Sequence, residues 1–224
     1  MKERIAKIVF VIVQMAIFYF SIFTDMIYLN EIRYLSVLLS LLFAFFFFNV
    51  KRFWKYGRQF IIGGLLFTAT ADYFLVIANE QYELGVLLFL VAQYSYFLYL
   101  STEMDSLHRM RQLGLRMGGG MVIISINYLL IGKMIPIIVL AIFYAAFSVG
   151  NLITVYRKFK TEYLLAIGLT LFAMCDICVV ISYLNIYFKE VTFCNTFRLL
   201  VWVFYIPSQV LISLCACQEV LEIE

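Results

Sequence analysis

Long apolar runs, separated by short clusters of charged and turn-forming residues, set the pattern of the chain. They predict eight helices, near residues 6–24, 34–50, 60–79, 82–101, 117–132, 134–154, 163–187 and 196–217. Each is close to the roughly 20 apolar residues that cross a bilayer as a helix. The fifth run is the least regular. It opens after Gly118-Gly119-Gly120 and contains Asn127, so a short, tilted or partly irregular helix is expected there. The first run follows Lys2, Arg4 and Lys7 as a signal peptide would. It is longer than a signal core, though, and has no small-residue cleavage site before Asp25, so it reads as an uncleaved span. The fold class is therefore an all-α integral membrane protein with eight transmembrane helices, a single membrane domain over residues 1–224.

Composition agrees. Of 224 residues, 65% are hydrophobic, 18% aromatic and 14% charged, with a mean hydropathy of +0.97, whereas soluble domains carry about a quarter charged residues. A soluble enzyme and a sizeable extramembrane domain are both excluded. The formal charge of +3 says less than where the charges fall. Thirteen of the 17 Lys and Arg lie on one side of the predicted spans: Lys2, Arg4 and Lys7; Lys51, Arg52, Lys55 and Arg58; Arg109, Arg111 and Arg116; Arg157, Lys158 and Lys160. Arg33, Lys133, Lys189 and Arg198 lie on the other. The positive-inside rule then puts the N-terminus in the cytoplasm and, with an even number of spans, the acidic tail of Glu219, Glu222 and Glu224 as well. A bacterial cell membrane is the expected location. The basic loops read as topogenic charge near anionic lipid rather than as ligand sites, and nucleic acid is not an expected partner.

The third and seventh predicted helices share a pattern. Gly64-Leu65 is followed by Asp72 and Gly168-Leu169 by Asp176, each acid eight residues after its glycine, at an offset of 104 residues. Two parallel four-helix halves follow as an expectation, with boundaries at 1–105 and 106–224.

Asp72 and Asp176 are also the only acidic residues deep inside predicted spans. A carboxylate at the centre of a membrane helix costs roughly 2.5–3.5 kcal/mol, so each should face the protein interior or a wet cavity. Two poorly solvated carboxyls do not both ionise easily, and one acid with one carboxylate can donate a proton and activate water. Packing through interhelical hydrogen bonds is the structural alternative. Thr68, one turn before Asp72, and Gln93, Tyr96, Asn127, Tyr205 and Gln209 are the neutral groups that suit substrate binding or support, or simply contacts between helices. Pro207 should weaken the helix beside Gln209. His108 is the only histidine and falls in a basic loop, which argues against a zinc or haem centre, and no cofactor or metal is expected. Cys175, Cys178, Cys194, Cys215 and Cys217 read as ordinary buried thiols.

These motifs resemble the YhhN-type family, the lysoplasmalogenases. Gly64-Leu65-Leu66-Phe67-Thr68-Ala69-Thr70-Ala71-Asp72-Tyr73-Phe74-Leu75 is similar to the first aspartate motif of that family, and Phe172-Ala173-Met174-Cys175-Asp176 to the second. The stretch from Gly85 through Phe89 and Gln93 to Tyr96 resembles the family span that carries His where this chain has Gln93. Tyr205-Ile206-Pro207-Ser208-Gln209-Val210-Leu211 resembles its closing motif. The chain departs further at Ala71, usually Gly, and Cys175, usually Ser. The resemblance implies hydrolysis of the vinyl ether bond of a lysoplasmalogen, a single-chain ether phospholipid, with Asp72 and Asp176 as the acid and base. Arg33 or Arg198 would pair with its phosphate. A small proton-coupled transporter and a catalytically silent lipid-binding relative are the other readings of intramembrane carboxyls.

Overall fold

The computed structural model describes residues 2–23, 29–47, 57–188 and 191–218. Lys51, Arg52, Lys55, Lys189, Asp25 and the acidic tail of Glu219, Glu222 and Glu224 lie outside these residues. Helices account for nearly everything described, with no strand among the described residues: α1 (Lys2–Phe23), α2 (Leu29–Phe47), α3 (Gln59–Asp72), α4 (Tyr82–Leu100), α5 (Ser106–Ile131), α6 (Pro136–Arg157), α7 (Phe159–Phe188) and α8 (Val191–Ala216). A π-helical turn, Tyr73–Ala78, continues α3. Eight helices are long and apolar enough to cross a membrane. The chain is a multi-pass, all-helical membrane protein.

The fifth helix departs most from expectation. It starts at Ser106, not near residue 117, and runs unbroken through Gly118–Gly120. The Asp105 carboxylate caps it, accepting the backbone N–H of His108 at 3.3 Å. Three glycines in a helix are individually unfavourable by about 1 kcal/mol, but the apolar Met121–Ile131 stretch beyond them favours continuation. Gly132, at φ +71°, ends the helix by donating its N–H to Tyr128 O at 2.8 Å. Pro136 then opens α6, where its missing N–H removes no helical bond. Arg109, Arg111 and Arg116 are consequently helix residues, not loop charges. At the other end of the pattern, α7 contains a non-helical Glu162, so its regular part begins where the sequence predicts it.

The helices group into two compact units, Asn49–Lys158 and Met1–Phe48 with Phe159–Glu224. The division falls elsewhere than at residue 105, because α1 and α2 pack with α7 and α8. In the α3–α6 unit, α3 packs on α4, α4 on α6 and α5 on α6. In the other, α7 packs on α8, α8 on α2 and α2 on α1, with α1 also on α8. Shifting each helix by four maps these three pairings of the first unit onto three of the second.

Small residues permit the closest approaches, as expected where lipid supplies no hydrophobic drive between helices. A side chain on Gly64 would run into the Tyr96 ring on α4. One on Gly168 would lie 3.3 Å from Ser208 O and 2.9 Å from Ile212 Cγ1 on α8. The rest of the second unit is tied by polar groups between helices. Gln14 Nε2 donates to Ser36 O at 2.9 Å and Ser40 Oγ at 3.1 Å, and Ser36 Oγ returns a bond to Gln14 Oε1 at 2.6 Å. Phe10 and Phe43 stack at 4.0 Å, and Lys7 Nζ donates to Cys217 O at 3.1 Å.

Candidate active site

Asp72 ends the α-helical part of α3, about 20 Å along the axis from Gln59 at 1.5 Å per residue. It is 4% exposed, and Thr68, one turn earlier, is fully buried on the same face. Across the α3–α4 contact sit Gln93 and Tyr96, both buried. Tyr96 lies beside Thr68 with Asp72 in electrostatic range. The ring occupies the space left by Gly64, which explains why a glycine stands two turns before the acid. Directly after Asp72 the backbone leaves α geometry for the π-helical turn, a local irregularity that often accompanies function. Neither proline nor glycine announces that turn in the sequence.

In the other unit, Asp176 lies about 21 Å along α7 from the Glu162 kink and is partly buried. Cys175 and Cys178 beside it are buried free thiols, as read from their apolar setting. On α8, Tyr205 and Gln209 are buried, and Tyr205 meets Phe172 of the aspartate motif edge to face at 5.5 Å. Gln209 Nε2 reaches Ser208 Oγ at 3.4 Å, and its buried Oε1 has no hydrogen-bond partner. Pro207 is accommodated inside α8, with Ser208 Oγ donating to Tyr205 O at 2.9 Å. Each unit therefore places one acid on the longer-range repeat helix, a close-approach glycine two turns before it, and a buried Tyr and Gln on the helix packed against it.

Asn127 lies apart from both groups, partly buried on α5 between the exposed Ile126 and Tyr128. Arg33 is already engaged: Nε and Nη2 donate to Ser21 Oγ and O at 3.0 and 3.1 Å, and its guanidinium sits 4.8 Å from the Trp202 ring. Arg198 is exposed. Two buried polar residues escape a reading that looks for acids. Asn151 on α6 donates to Gln93, and Arg116 on α5 is 4% exposed. The signal for the first is present in the sequence, since Ser148, Asn151 and Thr154 repeat every three residues along an otherwise apolar helix and all are buried.

The YhhN family model matches residues 31–216, from α2 to the end of α8. The chain belongs to the YhhN family. No curated protein and no solved structure gives a match. The family match spans both aspartate helices and both helices that carry the buried Tyr and Gln.

Proposed function

We propose that this YhhN protein is a membrane-embedded hydrolase that cleaves the vinyl ether bond of lysoplasmalogens, with Asp72 and Asp176 as its acid and base. The observation that carries the reading is the repeated arrangement itself. In a family associated with lysoplasmalogenase, each unit holds one intramembrane carboxyl on a helix packed against another that carries a buried Tyr and Gln. Intramembrane carboxyls are functional by default, because helix packing alone is achieved more cheaply by neutral groups.

The chemistry needs no cofactor. One carboxylic acid protonates the outer alkenyl carbon, and the ether oxygen stabilises the resulting oxocarbenium ion. The other, as carboxylate, takes a proton from water as its oxygen adds to the cationic carbon. The hemiacetal then collapses: its hydroxyl proton passes to the departing glyceryl oxygen, giving a fatty aldehyde and a glycerophospho-alcohol. Glycosidases divide acid and base between two carboxyls in the same way.

The test is aldehyde release from lysoplasmalogen by the purified protein in detergent, with Asp72→Asn and Asp176→Asn alongside. Wild-type turnover lost at least 100-fold in each variant is the expected result. Full activity in both variants overturns the two-carboxylate mechanism. Proton-coupled transport is the second reading, favoured by the irregular backbone directly after Asp72. It predicts no aldehyde release but a response to an imposed pH gradient in proteoliposomes.

A further inference from the structure

Arg116 is the most deeply buried cation among the described residues. It is 4% exposed, its Nη2 donates to Thr154 Oγ1 at 3.0 Å, and its Nε and Nη1 are buried without any acceptor. No carboxylate among the described residues pairs with it. Phe97 and Phe147 lie at 4.1 and 5.8 Å from the guanidinium carbon, so two ring faces offset part of the charge. Neither ring supplies an oxygen or nitrogen acceptor for the N–H groups of Nε and Nη1. A guanidinium stays protonated even when buried, and an uncompensated buried charge is strongly unfavourable. The surroundings make room for it nonetheless, since any side chain at Gly150 would collide with Nε.

We infer that Arg116, with Thr154 as its tether, is the receptor for a phosphate group. Its level in the fold suits that ligand. Thr154 is three residues from the end of α6 at Arg157, about 4.5 Å by helix rise. Lys158 pairs with Glu103 at 2.7 Å and Asp105 caps α5, but Arg157 with Arg109 and Arg111 on the first turns of α5 leave this end of the unit net basic. An anion is drawn to that end and then meets a planar fork with unused donors, walled by aromatic rings, a setting for a charged head on an apolar body. The shared chemistry is the phosphate, whether from a lysophospholipid head group or free in solution. The inference concerns binding alone and is independent of the hydrolase reading.

Thermal unfolding of the purified full-length protein in dodecyl maltoside, followed by tryptophan fluorescence, tests it. The probes are lysophosphatidylethanolamine, glycerophosphoethanolamine, inorganic phosphate and, as the uncharged control, monoacylglycerol. Saturable stabilisation by lysophosphatidylethanolamine and none by monoacylglycerol is expected, with Arg116→Gln abolishing the shift. A comparable shift with inorganic phosphate or glycerophosphoethanolamine identifies the free anion as the source, and its absence identifies the lipid head group. Thr154→Val and Arg116→Lys, which retain the charge, should bind about tenfold more weakly, and they decide the question if Arg116→Gln does not fold. Equal shifts with monoacylglycerol, unchanged shifts in the variants, or no shift with any phosphate probe overturn the inference.

Discussion

Asn151 Nδ2 donates to both the backbone oxygen and the side-chain oxygen of Gln93, at 2.8 and 2.9 Å. The contact joins α6 to α4 and holds the Gln93 amide in one orientation, with Oε1 already accepting. Both residues are fully buried or nearly so. Asn151→Leu removes the two bonds while keeping the volume. Aldehyde release is expected to fall about tenfold, with protein yield and melting temperature changing little, since interhelical hydrogen bonds in membranes average under about 1 kcal/mol. A loss of folding in this variant instead would make Asn151 a packing residue.

The motif resemblance puts Gln93 at the place of a family His, and Gln has no group that titrates near neutral pH. Gln93→His restores that group against the same Asn151 donor. Hydrolysis of lysoplasmalogen should rise by about tenfold or more, measured as initial aldehyde release at fixed protein concentration. An unchanged rate would place this position outside proton transfer.

Asp72 is the more buried of the two acids. Asp72→Asn replaces a buried intramembrane acid by a neutral group of the same size, so the variant should melt higher than wild type by the equivalent of about 1–2 kcal/mol while losing activity. Asp176→Asn, at a partly exposed site, should change stability less. Differential scanning fluorimetry of both variants in one detergent makes the comparison.

Gly64 and Tyr96 are complementary in shape, the ring filling the place of the missing side chain. Gly64→Leu should destabilise the α3–α4 contact by about 1–3 kcal/mol. Combining it with Tyr96→Ala should recover part of that loss, because neighbouring substitutions are not additive. Urea unfolding of the two single variants and the double variant measures the coupling, and strict additivity would mean that the ring moves aside freely.

Gln14, Ser36 and Ser40 form a closed set of hydrogen bonds between α1 and α2. Gln14→Leu leaves the Ser36 hydroxyl without its acceptor and is expected to lower stability by about 1 kcal/mol with no effect on turnover. Any large loss of activity would tie this network to the site.

Helix number and the two acids were legible in the chain because both depend on local composition. A run of about 20 apolar residues is a span whatever it packs against, and a carboxyl inside it is conspicuous. The start of α5 was not legible. Residues Ser106–Leu115 are polar enough to read as a loop, yet the Asp105 cap starts the helix ahead of them. The same error made Arg116 a topogenic loop charge, although the structure buries it against Phe97 and Thr154. The π-helical turn after Asp72 was hidden for a similar reason, since Tyr73–Ala78 contains neither Gly nor Pro.

The sequence by itself determined a multi-pass helical membrane protein of the YhhN family and the positions of Asp72 and Asp176. Hydrophobic length, charge placement and short motifs are all properties of neighbouring residues. Only the tertiary structure decided that α1 and α2 pack with α7 and α8, that Asn151 holds Gln93, and that Arg116 is enclosed without a counter-ion among the described residues. Those outcomes depend on which helix faces meet, and a helix that is apolar on nearly every side does not encode its partner in hydrophobicity. The few polar side chains and glycines make that choice, and what they choose is visible only once the helices are side by side.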